Sequence, residues 1–113
     1  MAEYSYKIGE TTYTQKPLVL GQYRLLMNLL KGINIPSDFD IIPLVTALGD
    51  KLSQAIAIVL NPIGIPLKDK NIEELTTEIE FEIDPDTVFT VVTDFFVCND
   101  LPSLLKKMNK VIE

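Results

Sequence analysis

A mainly α-helical single domain with a short N-terminal β-hairpin is the fold class this sequence predicts. Three observations predict it. β-favouring residues alternate only before residue 16, apolar residues afterwards recur three and four apart, and Gly, Pro, Asn or Asp bound each such stretch. The 113 residues suit one domain, 1–113, with the hairpin at 1–16 and a body of five to six helices over 19–112. Ile, Leu and Val together number 36, enough apolar surface to exclude a disordered chain and to build a core.

The elements follow in order. Tyr4, Tyr6 and Ile8 share one side of an extended segment, and Thr11 to Thr14 resume β-favouring chemistry after a turn at Gly9. Two strands alone are marginal in water, so the hairpin must lean on helices or pair with another chain. A helix over 19–31 stops at Gly32. Its wet stripe is Gly21, Arg24, Asn28 and Lys31, and its apolar arc, from Leu20 and Tyr23 round to Leu30, is broad enough to make it the central helix. After Pro36 and the capping candidates Ser37, Asp38 and Asp40, a helix over 41–48 tolerates Pro43 in its first turn. Gly49 breaks it, and Asp50 caps a third helix over 51–60 with Leu52, Ala55, Ile56, Val59 and Leu60 inward. Pro62, Gly64 and Pro66 make 61–67 the one internal hinge.

Asn71 followed by Glu74 opens a helix with Ile72, Leu75 and Ile79 in register. The run from Glu78 to Ile83 alternates as a strand does, but the cap and spacing favour helix. Asp84-Pro85 reads as an N-cap and first helical residue. The β-branched stretch 87–97 favours a strand by propensity; its pairs Val88-Phe89, Val91-Val92 and Phe95-Phe96 have helical spacing, with Thr90, Asp94 and Val97 on the other side. Spacing is the stronger signal, so a buried helix is expected. A last helix carries Leu104, Leu105, Met108, Val111 and Ile112 as one stripe, with Lys106, Lys107 and Lys110 off it.

Composition narrows the chemistry. A net charge of −6 repels phosphate, which argues against nucleic acid and anionic membrane as partners. Without histidine there is no Ser-His or Cys-His pair and no nitrogen ligand for zinc. Cys98 has no partner for an internal disulfide and reads as a buried, inert thiol. The N-terminus lacks the features of a signal peptide, and runs such as 55–60 are too short to span a bilayer, so an intracellular protein is expected. Asp38 with Asp40 and Asp84 with Asp86 lack the framework of a calcium loop and stand where helices want caps. Glu73, Glu74, Glu78, Glu80 and Glu82 read as a solvated face rather than a glycosidase pair. Serines 5, 37, 53 and 103 have no base, and the five isolated glycines form no phosphate loop. No catalytic residue, cofactor or metal is expected. The C-terminal stripe has two readings: core that closes the bundle, or a surface for a partner or a second copy of the chain.

Three stretches resemble the small tail assembly chaperones of long-tailed bacteriophages and prophages. They are Tyr6-Lys7-Ile8-Gly9-Glu10 through Leu18-Val19-Leu20-Gly21-Gln22-Tyr23, then Leu48-Gly49-Asp50-Lys51-Leu52, then Val91-Val92-Thr93-Asp94-Phe95-Phe96. The resemblance covers most of the chain as pattern more than as invariant signature. It implies a non-enzymatic, mostly helical protein in the cytoplasm of the infected host. Such a protein holds the tape measure protein soluble while tail tube protein assembles around it, and is absent from the finished virion. Many members also have a longer, frameshifted form. The family supplies no binding residues for transfer, so Leu104, Leu105, Met108, Val111 and Ile112 are the expected partner face from their spacing alone. A homo-oligomer through the hairpin edge or this helix is a further expectation. The competing readings are a structural minor tail or head-tail joining protein, an enzyme of small-molecule metabolism, and a protein that inhibits another by binding it.

Overall fold

The computed structural model describes residues 4–33 and 41–99. Strands β1 (Tyr4–Ile8) and β2 (Thr11–Gln15) pair antiparallel with Tyr6 opposite Tyr13, and alternation buries Tyr6, Ile8, Tyr13 and Gln15 on one face. Gly9 turns between them in the left-handed region, at φ +63°. A Cβ there would lie 3.1 Å from Cγ of Glu82, so both backbone and space favour glycine. The helices are α1 (Leu20–Leu29), α2 (Ile41–Leu48), α3 (Leu52–Val59), α4 (Ile72–Glu82) and α5 (Pro85–Cys98).

Local chemistry accounts for the helix starts. Gln22 reaches back to accept from the Val19 N–H at 3.2 Å, opening α1. Asn71 accepts from the Glu74 N–H at 3.1 Å, and Asp84 from that of Thr87 at 2.9 Å. Hydrogen bonds from Thr87 hold the Asp84 carboxyl below the usual range. The segment 72–82 is therefore helix rather than strand, and spacing prevails over β propensity in α5. Val91, Val92 and Phe95 face inward there, while Val97 is 66% exposed.

Tertiary structure corrects several expectations. The five to six helices become four helical bodies among the described residues, because α2, which ends as expected at Gly49 (φ +53°), passes directly into α3. A 3-10 turn, Gly49–Lys51, carries α2 into α3, and no side chain caps α3, so Asp50 does not cap it. The joined run Ile41–Val59 is, by length and composition alone, long and apolar enough to cross a membrane. In the fold its α3 half lies within the protein core. The expected last helix lies outside the described residues.

The central helix is α3, not α1. Ser53 and every residue from Ala55 to Leu60 are buried, whereas Leu20 and Leu25 of α1 are 65% and 49% exposed. Small side chains at Ser53, Ala55 and Ala57 let neighbours approach on several sides. In α1 the buried pair is Gln22 and Leu26, four residues apart.

The expected hinge is tied down. Asn61–Pro62 forms β3, antiparallel to β2 with Tyr13 opposite Pro62, giving a three-stranded sheet in the order β1-β2-β3. Proline is tolerated on this edge, where no donor is required. The Ile63 N–H donates to Thr12 O at 3.0 Å. The β2 edge is thus covered from within the chain, and β1 alone keeps the outer edge on the hairpin side.

Asp94 is half-buried. It accepts from Tyr6 Oη at 2.6 Å, and the buried Gln15 Nε2 donates to the same phenol oxygen at 2.8 Å and to Val91 O at 3.3 Å. The sheet is thereby fastened to α5. At the C-terminal end of α3, Gln22 Nε2 reaches Ile58 O at 3.0 Å and Val59 O at 3.4 Å, while Lys70 Nζ donates to Ile58 O at 2.8 Å and Leu60 O at 2.7 Å.

Gln22→Leu keeps the side-chain bulk and removes a donor from buried carbonyls. It should cost about 1–3 kcal/mol, read as a lower urea midpoint at unchanged slope. Stability should also vary with pH in two phases. Burial lowers the Lys70 ammonium from its ordinary 10.5 to about 8. Between these values the unfolded chain holds a proton that the folded chain has released, so stability rises with pH. Burial pushes the Tyr6 and Tyr13 phenols above their ordinary 10.0, so above pH 10 the folded chain holds protons the unfolded one has lost, and stability falls. Urea midpoints should climb from pH 8 towards 10 and then drop; Lys70→Met should abolish the climb and keep the drop.

Candidate functional site

Apolar side chains from four helices converge without filling the space between them. Leu26, Met27 and Leu30 come from α1, Leu44 and Leu48 from α2, Leu52, Ala55, Ile56 and Val59 from α3, and Val91, Val92, Phe95 and Phe96 from α5. Helical spacing places each set on one face of its helix. They line a groove with a cavity of about 70 Å³. Among the described residues, no polar or ionisable side chain lines it. Phe95 and Phe96 stand edge to face at its α5 wall, ring centroids 5.6 Å apart.

The groove follows a seam in the core. One buried cluster joins the sheet, α3, α4 and parts of α1 and α5; a smaller one holds Leu44, Leu48 and Val92. Leu30, Leu52, Val88 and Phe96 are half-buried and pack against both. The described lining side chains are all hydrocarbon or thioether.

The expected partner residues Leu104, Leu105, Met108, Val111 and Ile112 lie outside the described residues, as do Ser37, Asp38 and Asp40. Of the other candidates, Asp84 caps α5, as its position implied. The glutamates depart from a purely solvated face. Glu78 is half-buried and accepts from Thr11 Oγ1 at 2.7 Å, and Glu80 accepts from the buried Ser53 hydroxyl. Ser53 therefore has a carboxylate on it, contrary to expectation, and the contact joins α3 to α4. All five glutamates lie on one helix, not across a cleft as two-carboxylate hydrolysis requires. Among the described residues, no three of His, Cys, Asp and Glu are grouped so as to hold a metal ion.

Cys98 is half-buried rather than buried. Burial pushes its thiol up, and its sulfur lies 3.2 Å from the Asn99 amide nitrogen. Asn99 is itself buried; its Oδ1 accepts from the Leu18 N–H at 2.8 Å, which fastens the end of α5 to the start of α1.

Sequence reading treated the groove residues as ordinary core, because each helix is regular by itself and only their mutual placement leaves a gap. Gln22 did carry a signal: it is a polar residue off the wet stripe, one turn before Leu26. Cys98 should react with iodoacetamide several-fold more slowly in the folded chain than in urea at the same pH, measured by mass of the adduct, since the thiolate is the reactive form.

No family model matches this chain, and neither a curated protein nor a solved structure matches it.

Proposed function

We propose that this protein is a non-enzymatic helix-binding chaperone of phage tail assembly, which keeps the tape measure protein soluble in the host cytoplasm while tail tube protein assembles. The observation that carries the reading is the groove: four helix faces line it, and every lining side chain among the described residues is apolar. A long helical client presents apolar side chains at the spacing such a groove accepts. Two of the three stretches that resemble the tail assembly chaperones supply groove residues, Leu48 and Leu52 in one and Val91, Val92, Phe95 and Phe96 in the other. The third contains Tyr6, which fastens the sheet to α5 beside them. Acidic surplus keeps such a protein soluble while an apolar face is in use.

The partner-facing residues under this proposal are the half-buried Met27, Leu30, Leu52 and Phe96, around a floor that includes Ala55 and Val91. Co-expression with the large helical protein encoded just downstream, followed by affinity capture and size-exclusion chromatography, tests it. The two should elute together, with the large protein insoluble alone. Met27→Glu with Leu30→Glu should lower the captured amount at least tenfold while circular dichroism stays unchanged. Elution of this chain alone, or its recovery by mass spectrometry from purified mature particles, would replace the chaperone with a structural tail or head-tail joining protein.

A further inference from the structure

Lys70 is pinned between two local structures. Its backbone N–H donates to Leu67 O at 3.3 Å, closing the 3-10 turn Leu67–Asp69, and Asn71 beside it caps α4. The side chain is half-buried, and Nζ donates to Ile58 O at 2.8 Å and Leu60 O at 2.7 Å. Among the described residues Nζ has no other partner. An ammonium has three N–H donors, one more than these acceptors satisfy. A neutral amine has two, which match the two carbonyls and leave its lone pair unengaged. Lys68, Asp69, Glu73, Glu74 and Glu78 line the two clefts that Lys70 borders, yet the cause of its lowered basicity is burial and no carboxylate offsets it. The α1 side contributes Gln22 and apolar residues, and α3 contributes Ile58.

The cleft towards α1 has a volume of about 210 Å³. Its walls include Val19, Leu25 and Leu67, which are 40% to 50% exposed, so the cleft is open to solvent. We infer that Lys70 is an acyl-acceptor site, modified at Nζ by short-chain aliphatic thioesters whose acyl group enters this cleft. The lone pair attacks the thioester carbonyl carbon. The C–N bond forms, the C–S bond breaks, and the thiolate leaves with the proton that nitrogen gives up, so the products are an amide and a thiol.

Three features select Lys70 among the nine lysines. The first is protonation: with its pKa at about 8, about a quarter of the amine is neutral at pH 7.5, against about a thousandth for an ordinary lysine. The second is orientation, since two hydrogen bonds fix the nitrogen before the acyl donor arrives. The third is the apolar wall, which suits an aliphatic acyl chain. Acylation leaves the nitrogen a single N–H, so at most one of the two carbonyls keeps its donor, and the C-terminal end of α3 is loosened. This site is separate from the groove and independent of the chaperone function.

The test is incubation of the full chain with S-butanoyl-N-acetylcysteamine at pH 7.5, stopped below one adduct per molecule, followed by peptide mapping by mass spectrometry. Butanoylation should proceed at least tenfold faster at Lys70 than at the exposed Lys68. In the chain unfolded by urea the two rates should converge. In the folded chain their ratio should fall as pH rises from 7.5 to 10, because Lys70 is mostly neutral above about 8 while an ordinary lysine is still losing its proton. Lys70→Arg keeps donors for both carbonyls; it should lose the fast adduct and leave Lys68 reacting at its wild-type rate. The purified Lys70 adduct should unfold at a lower urea midpoint than the unmodified chain. Equal rates at Lys70 and Lys68 in the folded wild-type chain overturn the inference. So does a Lys70 rate higher in urea than in the folded chain, which would make burial a shield rather than an activator.

Discussion

The C-terminal end of α3 is the constraint on which the rest of the structure depends. A helix leaves its last carbonyls without intrahelical donors, and those of α3 emerge inside the core, where water is excluded. Gln22 and Lys70, from opposite directions along the chain, supply the donors for Ile58, Val59 and Leu60. One hydrogen bond contributes only about 0.5–1.5 kcal/mol net, but an orphaned buried carbonyl costs about 1–3 kcal/mol. The two clamps therefore place α1 and the 63–70 connection more firmly than their modest apolar contacts could. Gln22 also reaches Asn61 Oδ1 at 3.3 Å, which holds β3 where it can pair with β2.

A second set of polar contacts fastens the sheet and α5. Tyr6, Gln15 and Asp94 join the sheet to α5, and Asn99 joins α5 to the start of α1. With these joints fixed by directional bonds, the apolar faces need not close completely. The groove lies along the seam that results, between the main cluster and the smaller one around Leu44, Leu48 and Val92.

Much of the fold was legible from the residues. Gly9, Asn71, Asp84 and Pro85 mark their turns and caps through interactions only two or three residues long, and such interactions are the same in any fold. The same holds for α5, where apolar spacing outweighed the β propensity of Thr87 to Val97. The candidate site was less legible. Its floor residues were recognised as apolar, but sequence spacing says which face of a helix is buried and not what it is buried against. The five-residue stripe nominated instead, from Leu104 to Ile112, is amphipathic by spacing alone, which identifies a surface and leaves its partner open.

The sequence by itself determined the element types, most of their boundaries, the acidic surface and the absence of histidine chemistry, because these follow from local sterics, capping and composition. Tertiary structure alone decided four things: that a 3-10 turn at Gly49–Lys51 joins α2 directly to α3, that α3 rather than α1 is central, that Asn61–Pro62 is a third strand, and that four apolar faces leave a groove. Each depends on contacts between residues distant in the chain. A helix as apolar as α1 can be central or peripheral, and what decides is which neighbour can approach more closely; Ser53, Ala55 and Ala57 let α3 do so.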